Sequence, residues 1–257
     1  MLNIRTTQLE AFEGAARQAF EFEMLEHLRQ FSPPLVESTG DSQMRFVISH
    51  GLAKAEQYGF TYRGPVRLYL ELMLLFGSYF DTDPQYAWLK QSLMDGEFDK
   101  QMERAEKIYT LVVEYRQAVI GPKDENALCA LKKIQHFARQ KFSIQAHNLT
   151  SDIMREMKQI YPQKAEFVGD IPLVELINSG VEMARLHKLT AKRSTTLVIL
   201  LMYAFGHGCV NDPLYPWIGR TLNDEKIVNS EAKSKRLEKK SLTWLSHVLG
   251  HFEEQNV

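Results

Sequence analysis

Apolar residues recur three and four positions apart along almost the whole chain, and alternation of period two is nearly absent. That pattern predicts an all-helical protein. A first helix is expected from Thr7 to Phe31, with Leu9, Phe12, Ala16, Phe20, Met24 and Leu28 on one stripe, and Ser32-Pro33-Pro34 stops it. Helices follow at Asp41–Tyr58, Pro65–Phe76, Pro84–Met94 and Asp99–Val119. Gly121-Pro122-Lys123-Asp124 then breaks the pattern. Gly-Pro ends a helix and Asp124 is placed to cap the next, so the turn reads as a hinge between residues 1–121 and 122–257. Beyond it the expected helices are Glu125–Lys141, Leu149–Tyr161, Ile171–His187, Ser194–Phe205, Pro213–Asn223 and Asn229–Leu249.

The two halves repeat one another. Leu72 to Trp88 aligns with Leu201 to Trp217, which sets Gly77 against Gly206 at an offset of 129 positions. Without a gap, Ile48 to Asp95 pairs with Ile177 to Asp224, and the identities include Gly51/Gly180, Ala55/Ala184, Thr61/Thr190, Asp83/Asp212, Pro84/Pro213, Tyr86/Tyr215 and Trp88/Trp217. Pro33 meets Pro162 at the same offset, whereas the start of each half aligns only after a shift. Two copies are too few for a solenoid, so the expectation is two pseudo-symmetric helical halves packed face to face as one unit.

The repeated core reads as an apolar helix, Phe-Gly, a short loop, then Asp-Pro-x-Tyr-x-Trp. Gly77 and Gly206 can take the left-handed conformation that closes a helix. Asp83 and Asp212 precede Pro84 and Pro213, so proline is expected at the first helical position with the carboxylates accepting the free amide hydrogens. Tyr86, Trp88, Tyr215 and Trp217 fall in the first turn, where they can bury their rings while a hydroxyl or indole hydrogen finds a partner. These positions read as a structural motif.

Composition narrows the function. Of 257 residues 44% are hydrophobic, and 31 Lys+Arg balance 32 Asp+Glu to a net charge of −1, which removes bulk attraction to nucleic acid or an anionic membrane. Met1 to Glu10 has no apolar stretch of signal-peptide length, and Leu197 to Phe205 is too short to span a bilayer. Cys129 and Cys209 are too few for a disulfide framework and suit the cytoplasm.

Chemistry is sought where the halves differ. Asp81-Thr-Asp83 resembles a pair of hard oxygen ligands, but its counterpart is Val210-Asn-Asp212. His207 and Cys209 stand two apart beside Asp212, a set that suits a nucleophilic pair only if the fold frames it. His247 and His251 have the spacing of a metal helix, yet Val248 replaces the usual glutamate and Gly250 predicts that the helix ends between them. No metal, cofactor or catalytic residue is assigned. The basic run Lys233 to Lys240 is interrupted by Glu238 and crossed by the stripe Leu237, Leu242, Leu245 and Leu249, so it reads as a solvated helix face, with docking of an acidic partner as the alternative.

The combination Tyr58-Gly-Phe-Thr61, Phe76-Gly-Ser-Tyr-Phe-Asp-Thr-Asp-Pro-Gln-Tyr86, Phe205 to Trp217 and Leu237-Glu-Lys-Lys240 resembles an uncharacterised family of bacterial all-helical proteins whose genes lie beside type VI secretion spike and toxin genes. The likeness covers nearly the whole chain and brings no catalytic residues. The second half departs from it at His187-Lys-Leu-Thr190. The resemblance implies a non-enzymatic cytoplasmic accessory protein with a protein partner, either a toxin that it neutralises or an effector that it loads onto the secretion spike. The alternative is a small effector or enzyme using the loop around His207, Cys209 and Asp212, and a third reading is a helical scaffold that forms a homodimer. As a binding site the expected residues are His207, Cys209, Asp212, Tyr215 and Trp217, because Ser78–Thr82 against His207–Asn211 is the sharpest difference beside the repeated corner.

Overall fold

Proline and glycine mark where the helices begin and end. In the computed structural model, which describes residues 6–94, 100–140 and 148–254, α1 (Thr6–Phe31) stops at Ser32. Pro33 then opens a short α2 (Pro33–Thr39) rather than a loop. Proline suits the first helical position because an amide hydrogen there has no partner within the helix. Next come α3 (Asp41–Gln57), α4 (Arg63–Phe76), single 3-10 turns at Phe80–Thr82 and Pro84–Tyr86, α5 (Ala87–Met94) and α6 (Gln101–Tyr115), which runs into a π-helical turn at Arg116–Ile120. The rest of the chain forms α7 (Glu125–Arg139), α8 (Leu149–Ile160), α9 (Pro162–Val168), α10 (Asp170–Leu186), α11 (Lys192–Phe205), α12 (Pro216–Leu222) and α13 (Ser230–Glu254). Among the described residues there is no strand, and no helix is long and apolar enough to cross a membrane. The predicted helix start at Asp99 and end at Lys141, and the side chain of Leu9, lie outside the described residues.

Several local expectations are corrected. The stripe on α1 is buried only from Met24 onward, and Phe12 is 67% exposed. Asp124 sits at φ 60 and caps nothing with its side chain; its carboxylate accepts a hydrogen bond from Arg116 at 2.9 Å instead. Gly250 does not end α13, which continues through His251 to Glu254. Pro213 lies in a turn closed by Tyr215 N–H donating to the Asp212 carbonyl at 3.0 Å, and the helix after it starts at Pro216.

The elements keep the 129-residue register. The helices α2, α3 and α4 begin and end 129 positions before α9, α10 and α11, and α6 begins 129 before α13. The starts differ, since the first half has one helix of 26 residues where the second has α7 and α8. The turn after α3 also persists where its residues change: Phe60 N–H bonds to the Ala55 carbonyl as Leu189 N–H does to that of Ala184, both at 2.9 Å. One apolar core runs through both halves, from Met24 and Leu28 to Leu237 and Leu245. Across the middle α2 packs on α13, and α10 packs on the Pro84–Tyr86 turn.

Within each half, a helix pair approaches closely at a glycine. A Cβ on Gly51 of α3 would overlap Leu70 of α4, and one on Gly180 of α10 would overlap Ile199 of α11. Gly180→Ala therefore pushes against a stiff branched side chain and should lower stability by about 1–3 kcal/mol. Gly250 is also helical, but a Cβ there would meet nothing within 4 Å. Gly250→Ala should instead raise stability by about 0.5–1 kcal/mol, through helix propensity alone. Urea unfolding of the two variants checks the opposite signs.

Candidate functional site

The ends of α4 and α11 lie back to back. Gly77 and Gly206 close these helices at φ 94 and φ 96, conformations that disfavour any residue with a Cβ. A Cβ on Gly77 would overlap the carbonyl oxygen of Phe205, and one on Gly206 would overlap that of Phe76. This approach brings each Asp-Pro corner to the opposite half. Asp83 Oδ1 accepts from the Gln85 amide at 2.9 Å, the local cap expected of it, while Oδ2 accepts from the His207 amide across the seam at 2.6 Å. Asp212 mirrors this. Its Oδ1 accepts from the Leu214 amide at 2.9 Å and the Ser78 hydroxyl at 2.6 Å, and its Oδ2 from the Ser78 amide at 2.7 Å. Burial pushes the Asp212 carboxyl up to about 6, although its hydrogen bonds from Ser78 and Leu214 pull the other way.

This geometry places the residues of the expected binding surface at the seam. The structure does bring His207, Cys209, Asp212, Tyr215 and Trp217 together, but turned toward the first half. Cys209, Asp212 and Tyr215 are buried, and His207 and Trp217 are half-buried. His207 Nε2 lies 3.1 Å from Thr82 Oγ1, Tyr79 OH donates to the Asn211 carbonyl at 3.4 Å, and a Cβ on Gly208 would strike the Tyr79 ring. The divergent loops are packed on each other. Burial also holds the Cys209 thiol well above its usual range, so it is no ready nucleophile. Asp81 accepts from Lys54 Nζ at 3.2 Å and from Tyr58 OH at 3.0 Å. No group of three or more His, Cys, Asp and Glu that could hold a metal occurs among the described residues.

Behind each corner stands an aromatic cluster. Tyr86 lies 4.4 Å from Phe76, and Trp88 stacks on Tyr115 at 5.3 Å. In the second half Tyr215 stacks on Phe205 at 4.6 Å and Trp217 on Trp244 at 6.3 Å. The indole Nε1 atoms of Trp88 and Trp217 are buried without a hydrogen-bond partner, against expectation. Tyr115, Trp244 and Arg104 were not anticipated, and Lys233, expected on a solvated helix face, is half-buried. Arg104 donates to the carbonyls of Leu93 (3.0 Å) and Tyr58 (2.7 Å), and Lys233 to those of Leu222 (2.8 Å) and His187 (3.3 Å). Both pairs, Tyr115/Trp244 and Arg104/Lys233, stand 129 apart, so the register carried beyond Asp95 would have found them.

One further residue was missed because it breaks the register. Lys164 occupies the place of the buried Leu35, is itself 2% exposed, and donates from Nζ to the Tyr203 carbonyl at 2.5 Å and to Tyr86 OH at 3.0 Å. It lies 5.1 Å from the centre of the Tyr86 ring and 5.0 Å from that of Tyr203. Lys164 and Tyr86 both line a cleft of about 480 Å³ between the halves, with Pro34, Leu75, Tyr115 and Leu131 in its walls. Burial lowers the Lys164 ammonium to about 8, a shift partly opposed by Asp83.

Asp212→Ala should cost about 3 kcal/mol or more, beyond the ~1 kcal/mol of an ordinary cap, because it strands three donors in the seam. Asp212→Asn separates charge from shape. Burial pushes the folded carboxyl up to about 6, from the ordinary 3.8 of an exposed aspartate, so holding it ionised opposes folding fully above about pH 6. That penalty fades as pH falls toward about 4. Wild-type stability should therefore gain on that of Asp212→Asn between those values, and parallel curves would place the ionised carboxylate at no disadvantage.

No family model matches the chain, and neither a curated protein nor a solved structure matches it.

Proposed function

We propose that this chain is a binding protein made of two copies of one helical unit, residues 1–121 and 122–257, acting in the cytoplasm as an accessory protein of a bacterial type VI secretion and toxin system. Its task in this reading is to neutralise a toxin or to hold an effector for loading onto the spike. Support for the duplication comes from the identities at offset 129, the matching helix bounds and the exchanged aspartate bonds. Support for the system comes from the resemblance of the Phe-Gly and Asp-Pro-x-Tyr segments.

The observation that carries a binding role is where the aromatic side chains are exposed. Phe22, Phe46, Tyr62 and Tyr109 of the first half are each more than half exposed, whereas the second half has Ser151, Glu175, Ala191 and Glu238 at the equivalent positions. Among the described residues, Phe167 is the one exposed aromatic of the second half. Phe22 and Phe46 sit on α1 and α3, which pack together, and the Arg45 guanidinium lies 5.9 Å from the Phe22 ring. Exposed aromatic side chains, here with an arginine beside one of them, are the types that anchor protein interfaces. An effector or enzyme acting through His207, Cys209 and Asp212 has less behind it, because Cys209 and Asp212 are enclosed in the seam.

Affinity purification from the native bacterium, with mass spectrometry of what copurifies, should return a toxin or a spike component. Calorimetric titration with that partner should then show Phe22→Ala with Phe46→Ala weakening binding by about 2 kcal/mol at an unchanged melting temperature. Recovery of no partner would remove the accessory role. Unchanged affinity would move the interface off this face.

A further inference from the structure

We propose that the cleft beside Lys164 binds a small carboxylic acid with an apolar body, its carboxylate held by the Lys164 ammonium. This site is separate from the aromatic face and does not depend on the partner reading.

Three observations point to it. The first is the cost of the lysine. An ammonium buried to 2% exposure, with a neutral hydroxyl and a neutral carbonyl as its hydrogen-bond partners, has given up water, and the Asp83 carboxylate offsets that loss only in part. It carries three N–H donors and uses two, leaving one for a further acceptor. The second is that the helical unit does not need it. Leu35 fills the equivalent place in the first half, at 6% exposure. The third is the space. The cleft, at about 480 Å³, has the size of a small-molecule site, and its walls combine aliphatic and aromatic side chains with polar groups that include Gln30, Ser32, Arg116 and Asp124. It shares Pro34, Leu131 and Phe252 with a smaller hollow of about 170 Å³, which extends the apolar wall toward Tyr215 and Trp244.

The charges around the cleft select a carboxylate. Arg116 lines it, but donates to Asp124 at 2.9 Å, so that pair contributes little net charge. Asp83 spends its hydrogen bonds on Gln85 and His207, so it stabilises the ammonium from a distance without taking its remaining N–H. The Lys164 ammonium is thus the cation left to meet an anion, and an apolar acid both supplies the missing charge and displaces water from the walls.

The test is calorimetric titration of the full chain at pH 7 with 4-phenylbutyrate and with octanoate, each against its primary amide, which has the same shape and no charge. At least one acid should bind at least tenfold more tightly than its amide. Lys164→Met, checked for folding by circular dichroism, should remove that preference. The preference in the wild type should also fade as pH rises through about 8, where Lys164 loses its proton. Tyr86 and Tyr203 contact the amine, Tyr115 and Tyr161 stand by the cleft, and all four are pushed upward by burial, so they stay neutral there; Asp83, Arg116 and Asp124 are the other charged groups nearby. The acid–amide comparison needs no variant. Failure of both acids to bind at 1 mM, equal binding of acids and amides, or an undiminished preference in folded Lys164→Met would each overturn the proposal.

Discussion

Two backbone amides given to two carboxylates across a seam hold this fold in its shape. The amide after Gly77 goes to Asp212, and the amide after Gly206 goes to Asp83. Each bond needs the others' conditions to be met. The amide is free because glycine has turned the chain out of its helix at positive φ. The carboxylate is in place because the following proline keeps the aspartate out of helical backbone. The halves can come close enough because neither glycine carries a Cβ. A charged acceptor gives a stronger bond than a neutral one, and in the buried seam that strength recovers part of the desolvation which pushes Asp212 upward.

The same seam explains why the loops on either side differ so much in sequence. Ser78 and His207 make the equivalent contact through their main-chain nitrogens, and a backbone donor is the same whichever side chain follows it. Ser78 adds a hydroxyl bond to Asp212, whereas His207 turns its ring to Thr82. The divergence of this loop is therefore the freedom of side chains whose backbone does the bonding. At the outer ends of the unit the contact uses side chains instead, and there the type is kept: Arg104 and Lys233 are both cations reaching the carbonyls at a helix end, where the helix dipole favours positive charge.

What was legible in the sequence was local. Helix periodicity, the glycine stops and the aspartate caps each depend on residues within one turn of each other. The same locality misled at Ser32-Pro33-Pro34, where proline reads as a stop although it also starts α2, and at Asp124, where a good capping residue sits in a left-handed turn with Arg116 as its partner. The second oxygen of each aspartate was not legible, because its donor comes from more than 120 residues away in the chain. Tyr115 and Trp244 were within reach of the repeat but lie outside the segment where identities are dense, and they match in aromatic character rather than in residue type.

Departures between the halves therefore carry different weights according to what they displace. A new side chain in a loop held by its backbone changes the energy little, so His207 against Ser78 says little about function. An exposed aromatic in place of Glu175 or Glu238 loses some solvation without breaking a contact. Lysine in place of a buried leucine is of another order, since it takes a charge out of water and lowers its own proton affinity in doing so. Hydrogen bonds to Tyr86 and Tyr203 recover part of that loss, and a leucine would have avoided it altogether. A group whose presence the packing does not require, set beside a cleft that the packing leaves open, is better accounted for by what enters the cleft than by the stability of the helices around it.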